Sequence, residues 1–443
     1  MTITGLKNIA VFLVFSVGLF QSAGAAQNLS KAIPKASADR MEERIKALSQ
    51  FGKNGDGGVD RVAYSEADLQ GRAYIISELE ALGLNVRIDA AANIFARRQG
   101  RNATAKPILF GSHIDSVPGG GNYDGPTGVI AAIEAIELLN AANIQTTHPL
   151  ELVVFSNEEG GLVGSLAMRG HLKDSALAVV NASGKSIADG TNFIGGDVSN
   201  IASAKVSTDT YEAFIELHIE QGGILDEERL DIGVVEGIVG IGWWDVTIEG
   251  YANHGGTTAM DNRRDAMVSA AELTLVVNRI ALEMDGRQVA TVGRIQAFPG
   301  APNVIPGRVE MSLEIRDLEQ AKIDQVYAAV EKAAAEIAAR TKTSIGFKEI
   351  DVASEPAPTD PRMRKIIESA TQKFGYSYRT MPSGAGHDAQ DMVHIAPTGM
   401  IFVPSVGGVS HSPNEYTTPD AMAKGADVLA RALLVIDGGA LEK

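Results

Sequence analysis

A change of rhythm part-way along the chain limits its folds most. Short apolar runs alternate with helical segments over most of the length, and a different order interrupts them from about Gly240 to Asp351. The alternating part reads "LNVRIDA", "NIFARRQ", "KPILFGSHID", a helix "PTGVIAAIEAIELLNAA", "LELVVFSNEEG", a helix near "LVGSLAMRGHL", and "AFIELHIEQGG". Strands alternating with helices predict an α/β sheet covered on both faces, with functional residues at the carboxyl ends of its strands. A helix before them is predicted to start at a Ser65 cap and stop at Gly83.

The interruption runs strand "WWDVTIEGYA", helix, strand "ATVGRIQAF", strand "RVEMSLEIRD", helix, strand "SIGFKEID". That βαββαβ order predicts a small ferredoxin-like α+β domain. The first rhythm then resumes with "DPRMRKIIESATQKFG", "TGMIFVP" and a closing helix. The expectation is a larger α/β domain made of 26–239 and 352–443, with 240–351 inserted.

At 443 residues and 45% hydrophobic, the chain has ample material for two cores. Its 55 acidic residues against 39 basic ones argue against a nucleic-acid partner, which needs clustered Lys and Arg. With no cysteine, thiol catalysis and disulfides are excluded, and any metal site must use nitrogen and oxygen donors. Residues 1–25 place Lys7 before an apolar run from Ile9 to Phe20, then Ala23, Gly24 and Ala25. This reads as a cleavable signal peptide, its apolar core shorter than the roughly 20 residues that span a bilayer. A retained anchor is the other reading. The expected destination is export, periplasmic or secreted, with no stable membrane partner.

Four stretches carry chemistry. In "GSHIDSVPGGGNYDG", His113 and Asp115 can share a face, one ligating a metal while the other orients the imidazole. Asp124 follows at a helix start, where a carboxylate can bridge two cations, and the glycines let the backbone turn between them. In "LELVVFSNEEG", the adjacent Glu158 and Glu159 point in different directions, so one can hold metal while its neighbour handles protons. Alone, such a pair is usually a solvated turn. "AFIELHIEQGG" places Glu216, His218 and Glu220 on one strand face, and "VGGVSHSPNEY" offers His411 in a loop. Together, His113, Asp124, Glu159, His218 and His411 suit two borderline divalent cations.

Seven segments, "GSHIDSVPGGGNYDG", "FSNEEGG", "ELHIEQGG", "ANHGGTTAM", "PNVIPGRVEMSLEIRD", "SGAGHDA" and "GVSHSPNEY", occur in the order seen in the di-metal amidohydrolase branch of the aminoacylase-like metallopeptidase superfamily. This branch includes N-carbamoyl-L-amino-acid hydrolases, β-ureidopropionases and allantoate amidohydrolases, and the resemblance spans nearly all of the chain after residue 25. It implies a zinc-peptidase-like three-layer α/β catalytic domain with an inserted ferredoxin-like lid and dimerisation domain.

By resemblance, His113, Asp124, Glu159, His218 and His411 are the ligands of two divalent ions per subunit, zinc foremost with manganese, cobalt or nickel as alternatives. Asp124 bridges, Asp115 orients His113, and Glu158 is the general base. A histidine at 218, rather than the carboxylate common among the peptidases, favours the carbamoyl branch. Gln221, His254, Asn303, Arg316, Gly386 and His387 match substrate-binding positions, with His254 also stabilising charge on the reacting oxygen. Arg316 would grip a substrate carboxylate through two parallel hydrogen bonds; read from the residues alone, a strand-surface ion pair with Glu314 or Asp317 competes with that role. The resemblance further implies a homodimer through the small domain, with His254 entering the partner's site. Residues from both domains would need to meet around the substrate, so domain closure is expected, on hinges near Val239–Ile241 and Asp351–Glu355.

The implied reaction is hydrolysis of an N-carbamoyl amino acid to amino acid, ammonia and carbon dioxide. Allantoate or another ureido acid, a dipeptide or an N-acyl amino acid are the alternative substrates, and an exported metal- or solute-binding protein is the reading outside enzymes. Relatives read alanine and proline where this chain has Gly255 and Ala259, and their segment between Glu159 and Gly164 is longer.

Overall fold

The structure, a computed structural model, describes residues 32–350 and 354–441. The signal-peptide expectation falls outside the described residues, as do 351–353 of the second expected hinge. No helix among the described residues is long and apolar enough to cross a membrane.

The elements run α1 (Ala38–Leu48), α2 (Glu66–Ala81), β1 (Asn85–Ile88), β2 (Ile94–Arg98), β3 (Ile108–His113), α3 (Pro126–Ala141), β4 (Leu150–Phe155), α4 (Val163–Arg169), α5 (Ile187–Phe193), β5 (Ala213–Ile219), α6 (Ile224–Glu228) and β6 (Ile232–Ile238). Next come β7 (Gly240–Glu249), β8 (Asn253–His254), α7 (Ala266–Glu283), β9 (Val289–Thr291), β10 (Ile295–Phe298), β11 (Val304–Ile305), β12 (Arg308–Asp317), α8 (Gln320–Thr341), β13 (Ser344–Glu349) and β14 (Ala357–Pro358). The chain ends with α9 (Pro361–Phe374), β15 (Tyr378–Ser383), α10 (Ala389–Met392), β16 (Thr398–Val403) and α11 (Pro419–Asp437). The Ser65 hydroxyl accepts from the Asp68 N–H to start α2, and Gly83 follows its end at φ 78°.

Two compact units emerge, one of residues up to 236 with 359–383 and 387 onward, the other of 237–358 with 384–386. The second is wider than the pattern change suggests, because Gly237 and Ile238 pair with Pro358 and Ala357 as short antiparallel strands. In the first unit the sheet order is β1-β2-β4-β3-β5-β16-β6, with β15 beside β6. The central β4, β3, β5 and β16 are mutually parallel and buried along their whole length. Parallel strands buried on both faces read as the continuous apolar runs seen in the sequence. Helix α3 is buried almost all round and shares one core with α1, α9 and α11. Strands β6 and β15 have no counterpart in the sequence reading.

In the second unit the sheet order is β10-β12-β7-β13, with helices α7 and α8 sharing its core. The run "ATVGRIQAF", read as one strand, is two. Thr291 pairs with Glu314 and Ile295 with Met311, so the first strand advances four residues while β12 advances three. The extra residue is a bulge beside Gly293, fixed where the Arg294 N–H donates to the Ser312 hydroxyl. A separate β8–β11 ribbon sets His254 opposite Val304.

Candidate metal centre and catalytic residues

Four parallel strands end on one side of the first unit's sheet, and each delivers a candidate residue there. His113 is the last residue of β3, Glu158 and Glu159 follow β4, His218 is the penultimate residue of β5, and His411 lies in the loop after β16. From β3 the chain passes through α3 to β4 on one side, while β5 lies on the other. This reversal point is where open α/β sheets bind ligands. Asp124 stands two residues before Pro126, the first residue of α3.

Asp124 faces two sets of donors. Its Oδ1 is 3.1 Å from His218 Nε2 and 3.8 Å from His113 Nε2, and its Oδ2 is 3.4 Å from His411 Nε2. His411 Nε2 is also 3.5 Å from Glu159 Oε2. Two groups result, His113/Asp124/His218 and Asp124/Glu159/His411, each with its donor atoms within 4.8 Å of one another. Buried His113 Nε2 and Glu159 Oε1 have no hydrogen-bond partner, which suits donors reserved for a cation. Both strand histidines present Nε2, because His113 Nδ1 lies 3.1 Å from the Asp115 carbonyl and His218 Nδ1 lies 2.9 Å from the Ile219 carbonyl. The residues present therefore fit two nitrogen- and oxygen-ligated ions sharing one carboxylate.

A third group, Glu216/His218/His387, shares His218; Glu216 and His387 Nε2 are engaged within the protein, while buried His387 Nδ1 has no hydrogen-bond partner. Glu216 accepts from the Ser112 hydroxyl and the Ala389 N–H, and His387 Nε2 lies 2.9 Å from the Ser383 hydroxyl. Glu220 lies past the end of β5, where its two oxygens accept the Ile224 and Leu225 N–H groups at the start of α6. Of the three ionisable groups read on one face of this strand, only His218 belongs to the two groups around Asp124.

Asp115 does more than face His113, at 3.5 Å from its Nδ1. Its oxygens also accept the backbone N–H groups of Glu158 (3.3 Å) and Glu159 (3.1 Å). One buried carboxylate thus positions a histidine and the following acidic pair. Asn157 has a left-handed backbone (φ 49°), and the Gly161 and Leu162 N–H groups fold back onto the Glu158 carbonyl. This tight turn separates the two glutamates: Glu159 faces His411, while Glu158 Oε2 is 3.7 Å from His113 Nε2.

Glycine at 125 is required twice over. Its φ is 78°, and a Cβ there would lie 2.4–2.5 Å from the His113 ring. Gln221, also left-handed at φ 58°, donates from Nε2 to Asp124 Oδ2 at 2.6 Å. The motif reading gives no role to Ser410, whose hydroxyl donates to the same oxygen at 2.6 Å. Backbone strain gathered at one place is a mark of functional sites.

The electrostatics follow from burial and crowding. Burial opposes ionisation of Asp124, yet His218, His411 and His113 hold it well below the usual carboxylate range. Burial pushes Glu158 well up, helped by the charges of Glu159, Asp388 and Asp115 and opposed by His113. Burial and Asp124 push Glu159 up to about 7. The hydrogen bond with Asp124 raises His411 to about 9, while burial and His218 hold His387 well below the usual histidine range.

The remaining candidates are placed as follows. His387 is buried in the first unit with its ring against His218 at 4.5 Å between centroids. His254, Asn303 and Arg316 belong to the second unit, as does Gly386 in the 384–386 segment. His254 Nδ1 accepts the Gly256 and Thr257 N–H groups, which leaves the ring proton on Nε2 as an outward donor. The Asn303 carbonyl accepts the Gly255 N–H beside it. Arg316 makes the ion pair weighed above: Nε and Nη2 grip Glu314 at 2.8 and 3.3 Å, and Nη1 donates to the Gly384 carbonyl at 2.6 Å. Each terminal nitrogen keeps a second N–H, so the pair orients the fork without exhausting it. Glu314, which also accepts from Trp243 Nε1, is the orienting residue that the sequence reading weighed only as a rival partner.

The family model described as peptidase family M20/M25/M40 matches residues 109–435. The chain belongs to this family. Within the M20/M25/M40 family it is 39% identical over 396 residues to an N-carbamoyl-L-amino acid amidohydrolase of Geobacillus stearothermophilus, covering 88% of this chain and 96% of that one. It is 35% identical over 399 residues to an allantoate amidohydrolase of Bacillus subtilis, with 89% and 96% covered. Among solved structures, a hydantoinase/carbamoylase family amidase of Burkholderia multivorans superposes with a TM-score of 0.85 at 38% identity, covering 91% of this chain and 98% of that one.

Proposed function

We propose that this M20-family chain hydrolyses the linear amide C–N bond of an N-carbamoyl-L-amino acid, consuming one water and giving the amino acid, ammonia and carbon dioxide. The observation that carries the reading is the sharing of Asp124 by two donor groups with Glu158 beside them. Similarity to the Geobacillus amidohydrolase supports the substrate class. His113, Asp124 and His218 would hold one divalent ion, and Asp124, Glu159 and His411 the other, with zinc the first candidate and manganese, cobalt or nickel the alternatives. When bound, such ions lower the pKa of water and polarise a carbonyl oxygen.

The protein's own residues handle the protons. Glu158 accepts one from water and returns it to the leaving nitrogen, a role that suits a carboxyl whose pKa burial has raised. The family resemblance supports two further roles: His254, entering the site of the partner subunit, would donate its Nε2–H to a developing oxyanion, and the two outer N–H groups of Arg316 would receive a substrate carboxylate. The proposal extends to a homodimer through the second unit, testable by sedimentation, and to export, testable by the N-terminal sequence of the mature protein.

The deciding experiment is ammonia release from a panel of N-carbamoyl-L-amino acids, allantoate and dipeptides with the metal-loaded protein. Carbamoyl-selective release supports the proposal. Allantoate preference would favour the second reading, to which the Bacillus relative lends weight. Amino acids released from peptides without ammonia would move the activity to the peptidase branch, and binding without turnover would make the protein a binder.

Metal uptake carries its own pH signature. His411 holds its proton up to about pH 9, so below that pH an arriving ion must expel it. Affinity should therefore climb with pH, by up to about tenfold per pH unit for each proton released. Calorimetry at pH 7 in two buffers of different ionisation enthalpy should give different apparent heats; identical heats would sink the idea.

A further inference from the structure

The loops carrying Asp124 and His411 are far apart in the chain, and one buried carboxylate joins them. Glu415 is 4% exposed. Its Oε1 accepts the backbone N–H groups of Tyr123 (2.8 Å) and Asp124 (2.9 Å), 292 and 291 residues away. Its Oε2 accepts the N–H of His411 at 3.2 Å and lies 3.1 Å from the Ser410 hydroxyl, the same hydroxyl that donates to Asp124 Oδ2. The seat for this carboxylate is a glycine. A Cβ on Gly121 would lie 2.3–2.4 Å from the Glu415 side chain, so the bare backbone at 121 lets the carboxylate reach both loops.

We propose that Glu415 is a positioning residue that locks the Asp124 loop to the His411 loop and so sets the spacing of the second donor group, Asp124/Glu159/His411. The inference rests on the two-metal reading above. Glu415 grips the N–H of Asp124, which both groups share, but it also grips that of His411, so it touches two members of the second group and one of the first. His113 and His218 sit on the buried strands β3 and β5, which hold them whatever Glu415 does, whereas His411 sits on a loop with a left-handed backbone (φ 53°) that Glu415 grips by its own N–H. Loss of the lock should loosen one ion and spare the other.

The test is titration of the metal-free full-length protein with Mn²⁺ alone, followed by calorimetry and by competition with a chromophoric chelator, for wild type, Glu415→Gln and Gly121→Ala. Glutamine would turn an NH₂ group toward backbone donors, and alanine would push the carboxylate off its seat. Two ions are expected in wild type, with the weaker-held ion loosened about 10–100-fold in both variants and the other changed less than about threefold. Circular dichroism of the metal-free proteins identifies any variant that fails to fold, and the other variant then carries the test. Wild type with two ions and folded variants that bind both as tightly, or lose both equally, overturn the role of Glu415 alone. Wild type with fewer than two ions overturns the two-metal reading and this proposal with it.

Discussion

Glu158→Gln is expected to lower kcat by about 10²–10⁴-fold, the usual contribution of a positioned acid–base group, while the protein still takes up two metal ions. The separation of effects follows from the geometry. Glu158 belongs to neither donor group around Asp124, and its backbone N–H, which survives the substitution, is what Asp115 holds. Glutamine keeps the shape and polarity of the side chain but cannot take a proton. The expected loss corresponds to about 2.7–5.4 kcal/mol of transition-state stabilisation. Steady-state kinetics beside metal analysis of the same preparation checks it. A variant with two ions and a kcat within a few-fold of wild type would remove Glu158 from the proton path.

The second large effect belongs to Asp124→Asn. Each oxygen of this carboxylate serves a different donor group, so its loss should strip both ions, where His411→Ala should weaken only one. The substitution also turns against its surroundings. Gln221 and Ser410 both donate to Oδ2, and the neighbouring histidines stabilise a negative charge there. An amide accepts on one atom only, and its NH₂ group would meet existing donors. After dialysis at neutral pH, metal content should fall from two ions per chain to less than one, with hydrolysis at the uncatalysed background. Two ions retained through dialysis would show that the carboxylate does not bridge.

How far the sequence could be read follows from how far apart the interacting residues lie. The parallel core was legible because each buried strand is one unbroken apolar run, and the five donor candidates were legible because each stands near the end of a run or beside a glycine-rich turn. Contacts across the chain were hidden. Nothing near Glu415 points to Tyr123, and nothing in "SHID" announces that Asp115 will hold the Glu158 and Glu159 amides. The glycines of 119–125 were read as freedom to turn, which holds for Gly119 and Gly125; Gly121 is needed for the space that Glu415 fills. The alternation that put Glu216, His218 and Glu220 on one strand face was sound as a period, but the strand ends at Ile219 and Glu220 turns to a helix start instead. The sequence reading gives no strand at β6 or β15, and it does not separate β9 from β10 because a one-residue bulge barely disturbs the apolar pattern.

The position of β16 bears on how the molecule can be made. Among the described residues it is the last strand in chain order, yet it lies between β5 and β6. Until residues 398–403 leave the ribosome, β5 and β6 each keep an edge with no neighbour, and the sheet is split down its middle. Unpaired edges of this kind recruit other chains. Versions of the protein ending before Thr398 should therefore collect as aggregates, which light scattering beside the full chain would show.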